Sequence, residues 1–341
     1  MPVAERPDVR TLDNFIGGHW VQARATDFFD VHNPAVGDVI GRTPLSTAGD
    51  VDAAVQAAAQ AFPAWRDTPV NARAQVLFKF KALCEQHFEA LARTVTTEHG
   101  KTLDEARGSV RRGIECVEVA CGAPSLMQGF GLEDISKGVD CHVVRQPIGV
   151  VAAIAPFNFP AMVPMWFLPF AIVTGNTFIL KPSEQVPLSQ RMMVDLLQQC
   201  DLPPGVVNLV NGGRDVVNAI CDHPGIRAVS FVGSTPVAKH VYQRATSGGK
   251  RAQALGGAKN FVVVMPDADF DRSIDIISES FYGCAGERCL AGSMLIPIGG
   301  AHTETRDRMV AAATIRSRVS RCASPTGTSM LPARHRSPAQ P

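Results

Sequence analysis

The chain has 341 residues, 45% of them hydrophobic and 19% charged, with a formal net charge of +1. That length is enough for one large core or two linked ones, and the charge balance excludes a global basic field for nucleic acid. Nine cysteines, with no CxxC pair and no His/Cys spacing suited to zinc, point to reduced thiols in a cytoplasmic setting rather than a disulfide framework or a metal site.

The N-terminal stretch MPVAERPDVRTLDNF is too charged for a signal peptide. Residues 15–45 alternate short β-rich runs with Gly, Asn and Pro turns, which predicts a small antiparallel unit. From Asp50 the period becomes helical. DVDAAVQAAAQAF predicts one helix, VNARAQVLFKFKALCEQHFEALARTVTTEHG a second, and KTLDEARGSVRRGIECVEVACGAPSLM a third. Between Gly129 and Arg145 the pattern turns strand-like (VDCHVVRQ), a hairpin.

Strands and helices then alternate: IGVVAAIAP, a helix from Ala161, TFILKP, a helix over 188–199, VVNLV, a helix near Val216, AVSFVG, a helix from Pro236, and NFVVVM. This predicts an α/β fold of βαβ units around a parallel sheet, with ligands at the carboxyl ends of the strands, where the motifs below are expected. The most apolar stretch, Phe157 to Leu180, is cut by Pro160, Pro164, Pro169 and Gly175, so it reads as buried core and not as a membrane span. Residues 314–341 hold five Arg and no Lys, Asp or Glu, without helical or strand period, so disorder is expected there.

Each motif has two readings. In APFNFP, Asn158 is a turn residue or a side-chain amide that donates to a developing oxyanion. In TFILKPSEQVP, Lys181 and Glu184 are a solvated surface pair, or they hold a nucleotide ribose, where the carboxylate would favour NAD over NADP. In FVGSTPVA, Ser234 or Thr235 caps a helix, or that helix end receives a phosphate. In QALGGAKN, Gly256 and Gly257 make a tight turn or allow close backbone approach to a cofactor. In GERCLAGS, Cys289 is a buried small hydrophobe, or a nucleophile whose thiolate is favoured by Arg288 among the flexible Gly283, Gly286 and Gly292.

In order and spacing, PFNFP, KPSE, FVGST, LGG and the cysteine loop resemble the NAD(P)-dependent aldehyde dehydrogenase superfamily, over residues 13 to 313. EARGSVRRGIECVEVACGAPSLMQG, QPIGVVAAIAPFNFPAMVPMWFLPFAIVTGN, FVGSTPVAKHVY, QALGGAKN and GERCLAG are similar to its CoA-acylating methylmalonate-semialdehyde dehydrogenase branch. The resemblance implies Cys289 as nucleophile and Asn158 as oxyanion donor. It implies NAD contacts from Ala155, Phe157, Lys181, Glu184, Gln185, Ser234 and Gly256. At Gln185 the branch usually has arginine. Arg112 and Arg288 match arginines that grip the substrate carboxylate, with Arg111 an alternative to Arg112.

Hydrolytic members of the superfamily carry a glutamate directly before LGG to activate water. Here that residue is Ala254, which has no base. Coenzyme A is therefore the expected acyl acceptor, with loss of CO2 from a methylmalonate or malonate semialdehyde. A hydrolytic enzyme and an inactive remnant are the alternatives.

The implied architecture is a Rossmann-like NAD-binding domain (1–126 and 146–255), an oligomerisation hairpin (127–145) and an incomplete α/β catalytic domain (256–313). Residues 314–341 look like an out-of-frame tail following a frameshift near Ala313. A small-molecule partner and, by family, a homo-oligomer are expected, with no nucleic acid and no membrane.

Overall fold

The computed structural model describes residues 9–322, with side chains described as far as residue 314. Two compact units divide after Gly257.

The first unit opens with two hairpins. Strands β1 (Asn14–Ile16) and β2 (His19–Val21) pair with each other and join the main sheet, whereas β3 (Phe28–His32) and β4 (Val39–Pro44) form a separate two-stranded sheet. Helix α1 (Ala48–Asp67) starts where the Asp50 carboxylate accepts the Thr47 N–H at 2.8 Å. The single helix predicted from Val70 breaks at His87 into α2 (Val70–Gln86) and α3 (Phe88–His99). Neither Gly nor Pro announces that break in the sequence.

Helix α3 stops at Gly100, whose φ of +86° is left-handed, and a Cβ there would lie 2.5 Å from Pro34 Cγ. Helix α4 (Leu103–Cys121) begins with a reciprocal cap. Thr102 Oγ1 accepts the Glu105 N–H at 3.3 Å, and the Glu105 carboxylate accepts the Thr102 N–H at 2.9 Å. A short α5 (Ala123–Leu126) leads into β5 (Phe130–Ser136) and β6 (Val139–Val143), an antiparallel hairpin within the predicted 127–145 span.

The main sheet is built from β7 (Val150–Ile154), β8 (Thr177–Lys181), β9 (Val207–Leu209), β10 (Ile226–Gly233) and β11 (Arg251–Gly256), with the order β11-β10-β7-β8-β9-β1-β2. The strands from β11 to β9 are parallel, and β1 joins β9 antiparallel. The helices between them are α6 (Met162–Val173), α7 (Leu188–Leu197), α8 (Arg214–Asp222) and α9 (Thr235–Ser247).

Alternation along the central strands explains the layers. Phe178 and Leu180 enter one apolar cluster with α2, α3, α4, α6 and α7, while Ile179 between them enters the other with α1, α8 and α9. The strand order reverses at β7, so the loops after β7 and β10 flank the switch point.

Strand β11 is absent from the elements expected in chain order. The polar, alternating RAQALG is itself the edge strand, in register with β10 from Ala228↔Arg251 to Gly233↔Gly256.

The second unit begins at Ala258. Strands β12 (Asn260–Val264) and β13 (Gly292–Pro297) pair in parallel, and α10 (Phe270–Tyr282) and α11 (Ala301–Cys322) accompany them. Val264, Ile274, Ile277, Ala301 and Met309 form their core. The backbone of α11 continues through Cys322, where disorder is expected from residue 314 onward; the remainder of that predicted tail, 323–341, lies outside the described residues.

Candidate active site

The loop after β7 begins where the Ala155 N–H donates to the Lys181 carbonyl at 2.9 Å, the last rung of the β7–β8 ladder. Phe157, Asn158 and Phe159 follow, bracketed by Pro156 and Pro160, which restrict the backbone on either side. Phe157 is part-exposed and its ring lies parallel to that of His99, with 6.4 Å between centroids and 16° between planes. The backbone carbonyl of Asn158 accepts from Lys101 Nζ at 2.8 Å, and the same ammonium lies 4.1 Å from the centroid of Phe159. Asn158 is half-buried, and its amide carries the N–H donors that an oxyanion site needs.

At the end of β8, Lys181 is buried at 4% exposure and donates to Glu184 Oε2 at 2.9 Å. Burial pulls the Lys181 pKa down, with the Glu184 carboxylate acting in the opposite direction. A solvated surface pair is thereby excluded, because the ammonium end is enclosed. The Glu184 carbonyl accepts from Thr43 Oγ1 at 2.8 Å, and exposed Gln185 donates its N–H to Ser183 Oγ at 3.4 Å. The following helix, α7, is held at its start by Glu98, whose carboxylate accepts the Leu188 and Ser189 N–H groups at 2.6 and 3.1 Å.

At the end of β10, exposed Ser234 occupies the N-cap of α9 in extended conformation, and its side chain makes no capping bond. The backbone N–H groups of the first turn therefore have no side-chain cap there. Gly257, at φ +76°, donates its N–H to the Gly233 carbonyl at 3.3 Å. A Cβ on Gly256 would stand 2.4 Å from Ala238 Cβ, and one on Gly257 2.0 Å from Thr235 Oγ1. The two glycines thus let the end of β11 close onto the first turn of α9. An uncapped helix N-terminus, this glycine cradle and a buried Lys–Glu pair fit a dinucleotide with its phosphates at α9 and a ribose near Glu184.

Ala155, Phe157, Asn158, Lys181, Glu184, Gln185, Ser234 and Gly256 are gathered at the carboxyl ends of the parallel strands. Arg111 and Arg112 lie on α4 and are separated by the structure. Arg111 donates to Glu85 at 2.6 Å and covers the ring of Phe88 at 4.8 Å, whereas Arg112 is exposed and makes no ion pair with any described residue. Ala254 pairs with Phe231 and packs against the second core cluster.

In the second unit, Cys289 alone is exposed among the eight cysteines whose side chains are described. Burial raises the thiol pKa of Cys84, Cys116 and Cys121, and pushes those of Cys200 and Cys221 up to about 11. Three consecutive left-handed residues, Cys284 (φ +51°), Ala285 (φ +56°) and Gly286 (φ +76°), turn the chain ahead of the Cys289 loop. Arg288 is half-buried and faces Glu279 at 3.7 Å. A Cβ on Gly292 would strike the Phe281 ring at 2.2 Å, so this glycine is required for packing.

The Cys289 loop departs from the expectation that the motifs sit at carboxyl ends of strands. It joins α10 to the start of β13, and Asn260, the first residue of β12, pairs with Gly292, the first of β13. Cys289 therefore lies at the amino end of this small sheet. Two residues absent from the sequence reading bear on the candidates: Lys101 at the Asn158 loop and Asn260 at the Cys289 loop. Neither carries a motif; a lysine after a helix-ending glycine reads as surface, and an asparagine before a strand reads as a turn.

A parallel sheet covered on both faces, with these loops at its strand ends, followed by a second α/β unit with an exposed cysteine, defines a doubly wound α/β architecture. The aldehyde dehydrogenase family model matches residues 20–334, and the chain belongs to that family. It is 50% identical over 301 residues to malonate-semialdehyde dehydrogenase 1 of Geobacillus kaustophilus, covering 88% of this chain and 62% of the relative. A crystal structure of methylmalonate-semialdehyde dehydrogenase from Oceanimonas doudoroffii superposes with a TM-score of 0.86 at 45% identity, covering 91% of this chain and 63% of that one. A mutant of aldehyde dehydrogenase C from Pseudomonas syringae, solved with NAD+ and octanal, gives 0.82 at 32% identity, covering 89% and 62%. The chain thus spans less than two thirds of the length of each of these relatives.

Proposed function

We propose that this chain carries the machinery for NAD-dependent oxidation of methylmalonate or malonate semialdehyde through a cysteine thioester, with coenzyme A as acyl acceptor and loss of CO2. The observation that carries the reading is Cys289, an exposed thiol in a chain whose other described thiols are buried or half-buried, in a family of aldehyde dehydrogenases.

In this reading the Cys289 thiolate adds to the aldehyde carbon, and the resulting oxyanion accepts a hydrogen bond from the Asn158 amide. Bound NAD would supply the hydride acceptor, so that loss of hydride from the oxyanion adduct leaves the acyl group on Cys289 as a thioester. Ala155, Phe157, Lys181, Glu184, Gln185, Ser234 and Gly256 bind the dinucleotide, with Glu184 accepting from ribose hydroxyls and opposing a 2′-phosphate. Arg112 and Arg288 hold the substrate carboxylate; Arg111 is committed to Glu85 and is the weaker candidate.

Ala254 supplies no proton acceptor for water. The β-carboxylate leaves the thioester as CO2, the electron pair of the broken carbon–carbon bond takes up a proton from solvent, and the thiolate of coenzyme A then attacks the thioester carbon, so that acyl-CoA departs and the Cys289 thiolate is restored. The hairpin 127–145, with Phe130, Leu132, Ile135 and Val139 exposed, serves oligomerisation in this reading. Residues 1–126 and 146–255 form its NAD-binding domain, and 256–313 belong to its catalytic domain.

The test is NADH formation, followed by absorbance, from methylmalonate and malonate semialdehydes with and without coenzyme A. CoA-dependent turnover supports the proposal. Equal turnover without CoA overturns the acyl-transfer step in favour of hydrolysis. No turnover in either case overturns the catalytic reading and leaves a nucleotide-binding unit.

A further inference from the structure

The last turn of α3 and the link from it to α4 touch both of the strand-end loops that hold candidate site residues. Glu98, at 3% exposure, accepts from the backbone at the start of α7, directly after the Lys181–Glu184 loop. His99 lies against the Phe157 ring. Lys101, also at 3% exposure, donates to the Asn158 carbonyl and lies over the Phe159 ring.

A buried ammonium is costly to enclose unless its charge is met by acceptors and π-density. Lys101 finds both in the loop after β7, so lysine and loop hold each other. The anchor is firm on its own side. Gly100 turns left-handed against Pro34, Thr102 caps α4, and both flanking helices belong to the large apolar cluster.

We propose that Lys101 is the positioning residue of the Asn158 loop: by binding the Asn158 carbonyl it fixes that peptide plane and, through it, the direction in which the side-chain amide donates. The consequence for catalysis rests on the reading of Asn158 as oxyanion donor; the consequence for geometry does not. Lys101 touches neither substrate nor cofactor in this assignment. Its bond is to the peptide of the amide that meets the oxyanion, so its loss lowers kcat more than it weakens ground-state binding.

The test compares crystal structures and steady-state kinetics of the parent chain with Lys101→Met and Lys101→Arg. Methionine, one atom shorter than lysine, removes the donor and the charge; arginine keeps both. The expected result for Lys101→Met is a rotated or displaced Asn158 peptide and a kcat lowered about tenfold, the scale of one hydrogen bond to a charged group. KM for NAD and for the semialdehyde should stay within about twofold, and Lys101→Arg should recover peptide position and most of kcat. Lys101→Gln, also one atom shorter and without the charge, replaces Lys101→Met if buried methionine prevents folding.

An unmoved Asn158 peptide overturns the proposal whatever the turnover. So does a moved peptide with unchanged kcat in an active parent. A peptide that moves with Met and returns with Arg, in a parent that turns nothing over, upholds the positioning role and overturns the dehydrogenase reading instead.

Discussion

Asn260 holds Cys289 by the backbone: its Nδ2 donates to the Cys289 carbonyl at 2.9 Å and to the Ala291 carbonyl, also at 2.9 Å. One side-chain amide at the start of β12 thus ties both ends of the segment that presents the thiol. Asn260→Ala removes both bonds and should destabilise the loop by about 1–3 kcal/mol. The expected outcome is a lower kcat with the helix content of the second unit retained, measured by NADH turnover and circular dichroism. Unchanged turnover would show that the two bonds do not govern the thiol.

The difference in exposure among the cysteines predicts their order of alkylation. With limiting iodoacetamide at neutral pH, Cys289 should be modified first among the eight described cysteines, since the others are buried or half-buried. Peptide mass spectrometry reads the order directly. Modification of Cys200 or Cys221 ahead of Cys289 would contradict the structure. Alkylated protein should bind NAD and turn nothing over.

Glu98 predicts a pH dependence of stability. Burial raises its carboxyl from the ordinary 4.5 to about 7, although the backbone and Ser189 bonds at the start of α7 favour the ionised form. The folded chain therefore holds a proton that the unfolded chain releases. The stabilisation is complete below pH 4.5 and is lost as pH rises through about 7. Inside that window unfolding free energy should fall by up to about 1.4 kcal/mol per pH unit from this group. In Glu98→Gln that component of the slope should vanish, which urea unfolding at intervals between pH 5 and pH 8 measures (about the range over which this group titrates).

Gly256→Ala tests the cradle at the end of β11. The added methyl stands 2.4 Å from Ala238 Cβ and 3.2 Å from the Ser234 carbonyl, so strand and helix must part. Destabilisation of about 1–3 kcal/mol is expected, as for other overpacked contacts. NAD affinity by titration calorimetry should weaken together with it. Gly249→Ala, at a left-handed position with nothing within 4 Å, is the control for backbone strain without a clash.

Much of the first unit is legible from residue order because its strands are buried on both faces. VVAAI and the FIL of TFILK are apolar runs, which few structures other than central parallel strands can absorb. RAQALG escapes the same reading because an edge strand pairs on one side and leaves alternate residues half-exposed. The break at His87 has no punctuating residue, so helical period alone runs through it. The Cys289 motif identifies a loop, but a linear pattern does not say at which end of a sheet that loop lies. Lys101 and Asn260 act on backbone carbonyls distant in sequence, a relationship that exists only once the helices and strands have packed.

Cys284 and Ala285 hold left-handed backbone that side-chain-bearing residues adopt at a cost of roughly 1–2 kcal/mol each. Glycine at Ala285 would relieve the folded chain and at the same time loosen the approach to Cys289. Greater thermal tolerance and a fixed aim of the thiol therefore make opposite demands on one position. Improvement by random mutation and selection for heat resistance should find this turn early, at the expense of turnover.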